Sequence, residues 1–228
     1  MRQFNWHKVF GFSVDENLFI RKTIIMKKKT FLLLALPVFF ACNNSSKDST
    51  EKADSANASK MDTTTSNNGN TTTDTTNKMS GTMSVDKSTS EFMVKVADVG
   101  MTEVKLGQMA QDKGMNPRVK DFGAMMVKDH SAAGDELKNL AGQKNVTLPA
   151  TVGDDHQKKI DDLNKKSGKD FDKAYVKAMV DGHQSAVNDF EKASKNTKDA
   201  DVKAWVDKTL PTLKMHLDSA KAIQKGMK

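Results

Sequence analysis

Residues 171–193 read FDKAYVKAMVDGHQSAVNDFEKA. Phe171, Tyr175, Met179, His183, Ala186, Phe190 and Ala193 recur at steps of four and three, the spacing of one α-helical face. That face carries one strongly polar group, His183. A second copy of the pattern stands upstream, where FGAMMVKDH (Phe122–His130) again places an aromatic, a methionine and a histidine on successive turns.

Two more stripes flank these. A first helix, over residues 90–113, aligns Phe92, Val96, Val99, Glu103, Leu106 and Ala110. The second, from Pro117 to about Lys144, aligns Val119, Phe122, Met126, His130, Ala133, Leu137 and Leu140. A third covers residues 169–195. The last, residues 199–226, aligns Val202, Val206, Thr209, Leu213, His216, Ala220 and Ile223, with Pro211 expected to kink it. No alternating strand pattern occurs. Four long helices with one apolar stripe each pack as an all-α four-helix bundle. Between the second and third helices, NVTLPATVG breaks the pattern and DDHQKKIDDLNKKSG forms a short extra helix. A link of that length can cross the bundle and leave the second and third helices parallel, as in ferritin-like folds. An antiparallel pair would also bring the two mid-helix histidines level, so spacing leaves the topology open.

Each stripe holds one polar residue near its middle: Glu103, His130, His183 and His216. A buried carboxylate or imidazole is costly unless it is paired or bound, and the simplest arrangement lets the four meet. At a rise of 1.5 Å per residue, Glu103, His130 and His183 fall about 17–21 Å from one end of the bundle. Counted back from the turn near residue 197, His216 falls about 12 Å from that end, a turn and a half out of level.

The segments EVKLGQMA (103–110), VKDFGAMMVKDHS (119–131), FDKAYVKAMVDGHQSAVNDFEKA (171–193) and LPTLKMHLDSA (210–220) together resemble the bacterial exported family catalogued as domain of unknown function 4142. The resemblance spans residues 91–223 and implies a ferritin-like bundle in a protein often labelled outer-membrane. It brings no established reaction. Ferritin-like di-iron enzymes use Glu-x-x-His motifs, whereas Val127, Val180 and Leu213 stand three residues before the histidines here. Ferroxidase chemistry of that kind is therefore not expected.

One carboxylate and three imidazoles form a set suited to a transition metal such as Zn, Cu or Fe. Met126 and Met179, one turn before their histidines, are possible extra ligands, and Met215 adjoins His216. The alternative is a buried hydrogen-bonded network that sets helix register without metal. His156, outside the stripes, is expected in solvent, and Asp129 and Asp181 at the surface or supporting the histidines. The sequence has no Gly-rich phosphate loop, no serine or cysteine nucleophile arrangement and no close pair of core carboxylates, so it leans away from an enzyme.

The chain ahead of the bundle reads differently. MKKKTFLLLALPVFFAC (Met26–Cys42) is a basic start, an apolar run and the chain's single cysteine. That is the layout of a signal peptide over residues 26–41, too short to span a membrane. It is similar to lipoprotein signals in which the cysteine is lipidated, which implies an exported protein facing the periplasm and tied to the membrane at Cys42. Asn43 points to the outer membrane. Residues 1–25 would bury this signal and read as an upstream extension of a mis-assigned start. Residues 42–89 are Ser, Thr and Asn rich and are expected to form a disordered tether, with the bundle over residues 90–228.

The net charge of +7 belongs mostly to the leader. Residues 1–41 hold 7 basic and 2 acidic side chains, leaving +2 of mixed pattern in the remainder. No basic face for nucleic acid is present, and no protein partner is indicated. The expectation is an envelope binding or stress-related module whose tetrad holds a metal or a polar network. The competing expectation is a metal-dependent redox enzyme of the periplasm.

Overall fold

The computed structural model describes residues 48–62 and 85–227. Residues 1–25, the signal segment and Cys42 lie outside the described residues. Six helices follow one another: α1 (Ser49–Asp62), α2 (Lys87–Lys113), α3 (Pro117–Gln143), α4 (Asp154–Asn164), α5 (Gly168–Asn196) and α6 (Ala200–Lys225). The fold is all-α, with α2, α3, α5 and α6 as the four long helices of a bundle and α4 in the link.

The helix ends follow from local chemistry. Asp86, Asn116 and Asp199 each accept a backbone N–H from the first turn of α2, α3 and α6, and Pro117 sits at the first position of α3, where its missing N–H is no loss. At the far end of α3, Asn145 takes a left-handed conformation with φ of 55°. It lets Val146 N–H reach the Ala141 carbonyl at 2.8 Å, a Schellman closure that normally selects Gly or Asn. Helix α6 runs unbroken through Pro211.

Two polar clamps fix the direction of the helices. The Asp172 carboxylate in the first turn of α5 accepts the N–H groups of Met115 and Asn116, at 3.1 and 2.8 Å, in the α2–α3 turn. At the other end, Lys144 pairs with Asp199 and Asp201 at the start of α6, at 2.8 and 2.6 Å. Helices α3 and α5 therefore start at the same end and run parallel, so the long link is a crossover. Within the first hairpin α2 and α3 touch backbone to backbone. A Cβ on Gly107 would lie 2.7 Å from the Gly123 carbonyl, and one on Gly123 would lie 2.6 Å from that of Gly107.

The core divides into two apolar bodies. One gathers Met93, Leu137, Phe190, Val206 and Leu213. The other gathers Leu106, Met126, Phe171, Tyr175, Met179 and Ala220. The four polar stripe residues lie between them along the helices.

The expected tether is corrected over Ser49–Asp62, which is helix α1 docked on the bundle. Its apolar content is too low for a stripe, and its docking is mostly polar. Asn57 accepts the Thr147 N–H at 2.7 Å and donates to the Thr147 carbonyl at 3.0 Å. Lys60 donates to the Asn145 carbonyl and to Thr147 Oγ1. Asp48 caps α1 through Ser49 N–H and reaches across to Asp154 N–H at the head of α4, where Gly153 has no side chain to serve as cap. Ala53 and Asn57 are buried by this docking. Among the described residues no helix is long and apolar enough to cross a membrane.

Candidate metal centre

The three histidine stripes converge. Ring centroids of His130, His183 and His216 stand 5.5, 5.3 and 5.3 Å apart in a near-equilateral triangle. Glu103 joins from α2, with Oε2 3.0 Å from His130 Nε2 and Oε1 3.4 Å from His183 Nδ1. Phe122 closes the triangle on one side, edge-on to His183 and His216 at 6.4 Å each. The expectation that His216 would lie out of level is corrected. Measured from the end it shares with Glu103, His216 is ten residues from Gly226, about 15 Å. The ring of His216 nevertheless stands 5.3 Å from those of both His130 and His183.

All four groups are sealed from water, with relative exposures of 0% for His183, 1% for His216, 4% for Glu103 and 8% for His130. Burial governs their ionisation. It raises the Glu103 carboxyl to about 8. It lowers His130 to about 3 and His183 to about 4, with the neighbouring imidazoles pressing the same way. His216 is also lowered by burial, opposed by its bond to Asp129. At neutral pH the cluster is thus three neutral imidazoles and a largely protonated carboxylic acid. The Glu103–His130 approach is accordingly a contact between neutral groups rather than an ion pair.

His183 and His216 are each held by one hydrogen bond, and each of the three histidines keeps one buried ring nitrogen without a hydrogen-bond partner. His183 Nδ1–H donates to the Met179 carbonyl at 2.9 Å, leaving Nε2 with no hydrogen-bond partner. His216 Nε2–H donates to Asp129 Oδ2 at 3.0 Å, leaving Nδ1 with none. His130 Nε2 is close to Glu103 but out of line for a hydrogen bond. One ligating nitrogen from each ring lies within 4.8 Å of the others. Nitrogens bound to one ion at 2.0–2.1 Å stand about 3.3 Å apart in a tetrahedral set, so a small contraction suffices. The donor chemistry fits a first-row transition ion. Among the described residues this is the one cluster of three or more His, Cys, Asp or Glu side chains so disposed.

The sequence expectations divide around this centre. Glu103, His130, His183 and His216 meet. Met126 and Met179 pack in the apolar body beside the cluster, and Met179 also serves through its carbonyl. Asp129 supports His216 directly, whereas Asp181 pairs with Lys177 at the surface. The placement of His156 in solvent is corrected. Its Nδ1 lies 2.5 Å from Asp98 Oδ2, Asp98 is buried, and Asp98 Oδ1 accepts the Gly153 N–H at 2.7 Å. This pair fastens α4 and its entry turn to α2. Tyr175 adds a buried hydroxyl without a partner, whose pKa burial and the nearby Glu103 push upward.

A family model described as a domain of unknown function (DUF4142) matches residues 74–223. The chain belongs to that family. Solved structures share the fold. CopM in its Cu(II)-bound form is 18% identical with a TM-score of 0.54, covering 61% of this chain and 97% of CopM. CopM in its Cu(I)-bound form is 19% identical with a TM-score of 0.52, covering 60% and 96%. A DUF305 fragment from Deinococcus radiodurans is 9% identical with a TM-score of 0.55, covering 62% and 97%. At these identities the likeness is one of fold. No curated protein matches the chain.

Proposed function

We propose that this domain binds a transition metal ion, copper foremost, and holds it rather than turning over a substrate. The observation that carries the reading is the convergence of three buried imidazoles, His130, His183 and His216, each offering a nitrogen within 4.8 Å of the others and each keeping a ring nitrogen with no hydrogen-bond partner. Burying an unpaired polar atom is costly, and three in one place amount to a site waiting for a Lewis acid. Glu103 supplies a fourth donor once it loses its proton. An all-nitrogen and oxygen set binds Cu(II) most strongly among divalent first-row ions, and the copper-bound forms of CopM, a protein of the same fold, support that choice. The ion would act as a Lewis acid. The protein contributes preset tautomers through the Met179 carbonyl and Asp129, neutral ligands, and exclusion of water. The sealed cluster favours retention over catalysis.

From the sequence signal we place the protein in the cell envelope, held at the membrane by a lipid on Cys42. The deciding experiment for binding is metal analysis of the purified full chain after exposure to Cu(II) or Zn(II), beside a His130→Ala, His183→Ala variant. One tightly held ion, lost in the variant, is expected. No retained ion in the unaltered protein would overturn the reading.

A further inference from the structure

Four sealed ligands raise the matter of entry. A hydrated ion cannot reach nitrogens that are 0% to 8% exposed. The Asp129 carboxylate touches both the cluster and the solvent, being 25% exposed and hydrogen-bonded to the buried His216 ring. It belongs to α3, while His216 belongs to α6, so the bond spans the seam between two hairpins. Within the first hairpin α2 and α3 touch backbone to backbone at Gly107 and Gly123, which leaves the seam between hairpins as the place to open. The outward nitrogen of His216 faces Asp129 and the inward one lacks a partner.

We propose that Asp129 and His216 form the port through which the ion enters and leaves, an inference that rests on the metal-binding reading above. Asp129 gathers the cation at the surface. When the seam opens, a half-turn of the His216 ring presents its Nδ1 lone pair to that cation beside the carboxylate. Turning back delivers the ion to His130 and His183 and returns Nε2–H to Asp129. No proton changes place, because the tautomer is the same at both ends of the swing. The carboxylate thus acts on the passage, and its hydrogen bond also orients the ligand.

The test follows Cu(II) uptake by absorption under stopped flow and Cu(II) release into excess chelator. It uses the full chain carrying Cys42→Ser, which removes the one competing thiol. Asp129→Asn keeps an acceptor for His216 but removes the charge. Loading and release are both expected to slow by at least about tenfold, the lower end of what local charge does to cation capture. Their ratio, the affinity, should move far less than either rate. Raised ionic strength should slow loading in the parent and leave the variant nearly unaffected. Unchanged rates in Asp129→Asn would overturn the port. So would faster release with unchanged loading, the mark of a group that only orients His216. Failure of the parent to take up Cu(II) would instead overturn the metal reading, and the port with it.

Discussion

Replacing Glu103 with Gln tests whether the buried acid is held protonated. Burial raises its pKa from 4.5 to about 8, so between those values the unfolded chain releases a proton that the folded chain retains. Folding stability of the metal-free protein must then fall as pH rises through that window and level off above about 8. At 1.36 kcal/mol per unit, the cost at pH 7 is about 3 kcal/mol, and about 5 kcal/mol once the plateau is reached. Gln has nearly the same shape and no proton to lose. Glu103→Gln should therefore match the parent near pH 4.5 and exceed it by about 3 kcal/mol at pH 7. For a domain of this size that is roughly 6–12 °C in melting temperature. The histidines act in the opposite sense. Their lowered values in the fold mean that stability drops as pH falls below 6.5, toward about 3 to 4. The parent should thus be most stable near pH 6.5, and Glu103→Gln should climb more steeply than the parent up to that pH and show no fall above it. Urea unfolding with a chelator present, from pH 4.5 to 8.5, measures both curves. Equal slopes above pH 6.5 in parent and variant would refute the protonated acid.

Three more outcomes follow. Gly107→Ala drives a methyl against the Gly123 carbonyl at 2.7 Å and should cost about 1–3 kcal/mol in urea unfolding, whereas Gly134→Ala, open on its outer face, should not destabilise. Asn57→Ala removes both bonds to Thr147. It should raise hydrogen exchange across α1 and cost roughly 1–3 kcal/mol, and unchanged α1 protection would count against the latch. Cys42→Ser should release the protein from membranes in fractionated cells, while continued retention would rule out lipidation at that residue.

The long helices were legible because their apolar residues repeat at three and four, and the tetrad because each polar group interrupts such a repeat. What escaped the sequence is polar and non-periodic. Helix α1 docks through Asn57, Lys60 and Asp48 onto the backbone of the 145–154 stretch, contacts that leave no stripe. Asp98 and His156 stand 58 residues apart and meet only because the crossover folds back along α2. The parallel course of α3 and α5 hinged on Asp172, whose residue type at a helix start suits an ordinary capping role equally well. Asp129 was visible beside His130, but nothing in its spacing said that it would reach His216.

The arrangement of the tetrad also sets an order of events. Glu103 and His130 belong to the first hairpin, and His183 and His216 to the second. Neither half alone gathers three imidazoles, so a newly made chain has no complete cage until its two hairpins have docked. An ion needing all three rings can therefore neither template an early hairpin nor be captured for good by a half-folded one. On the metal-binding proposal, loading would be the last step of maturation, and an occupied centre would certify that the two halves have come together in register.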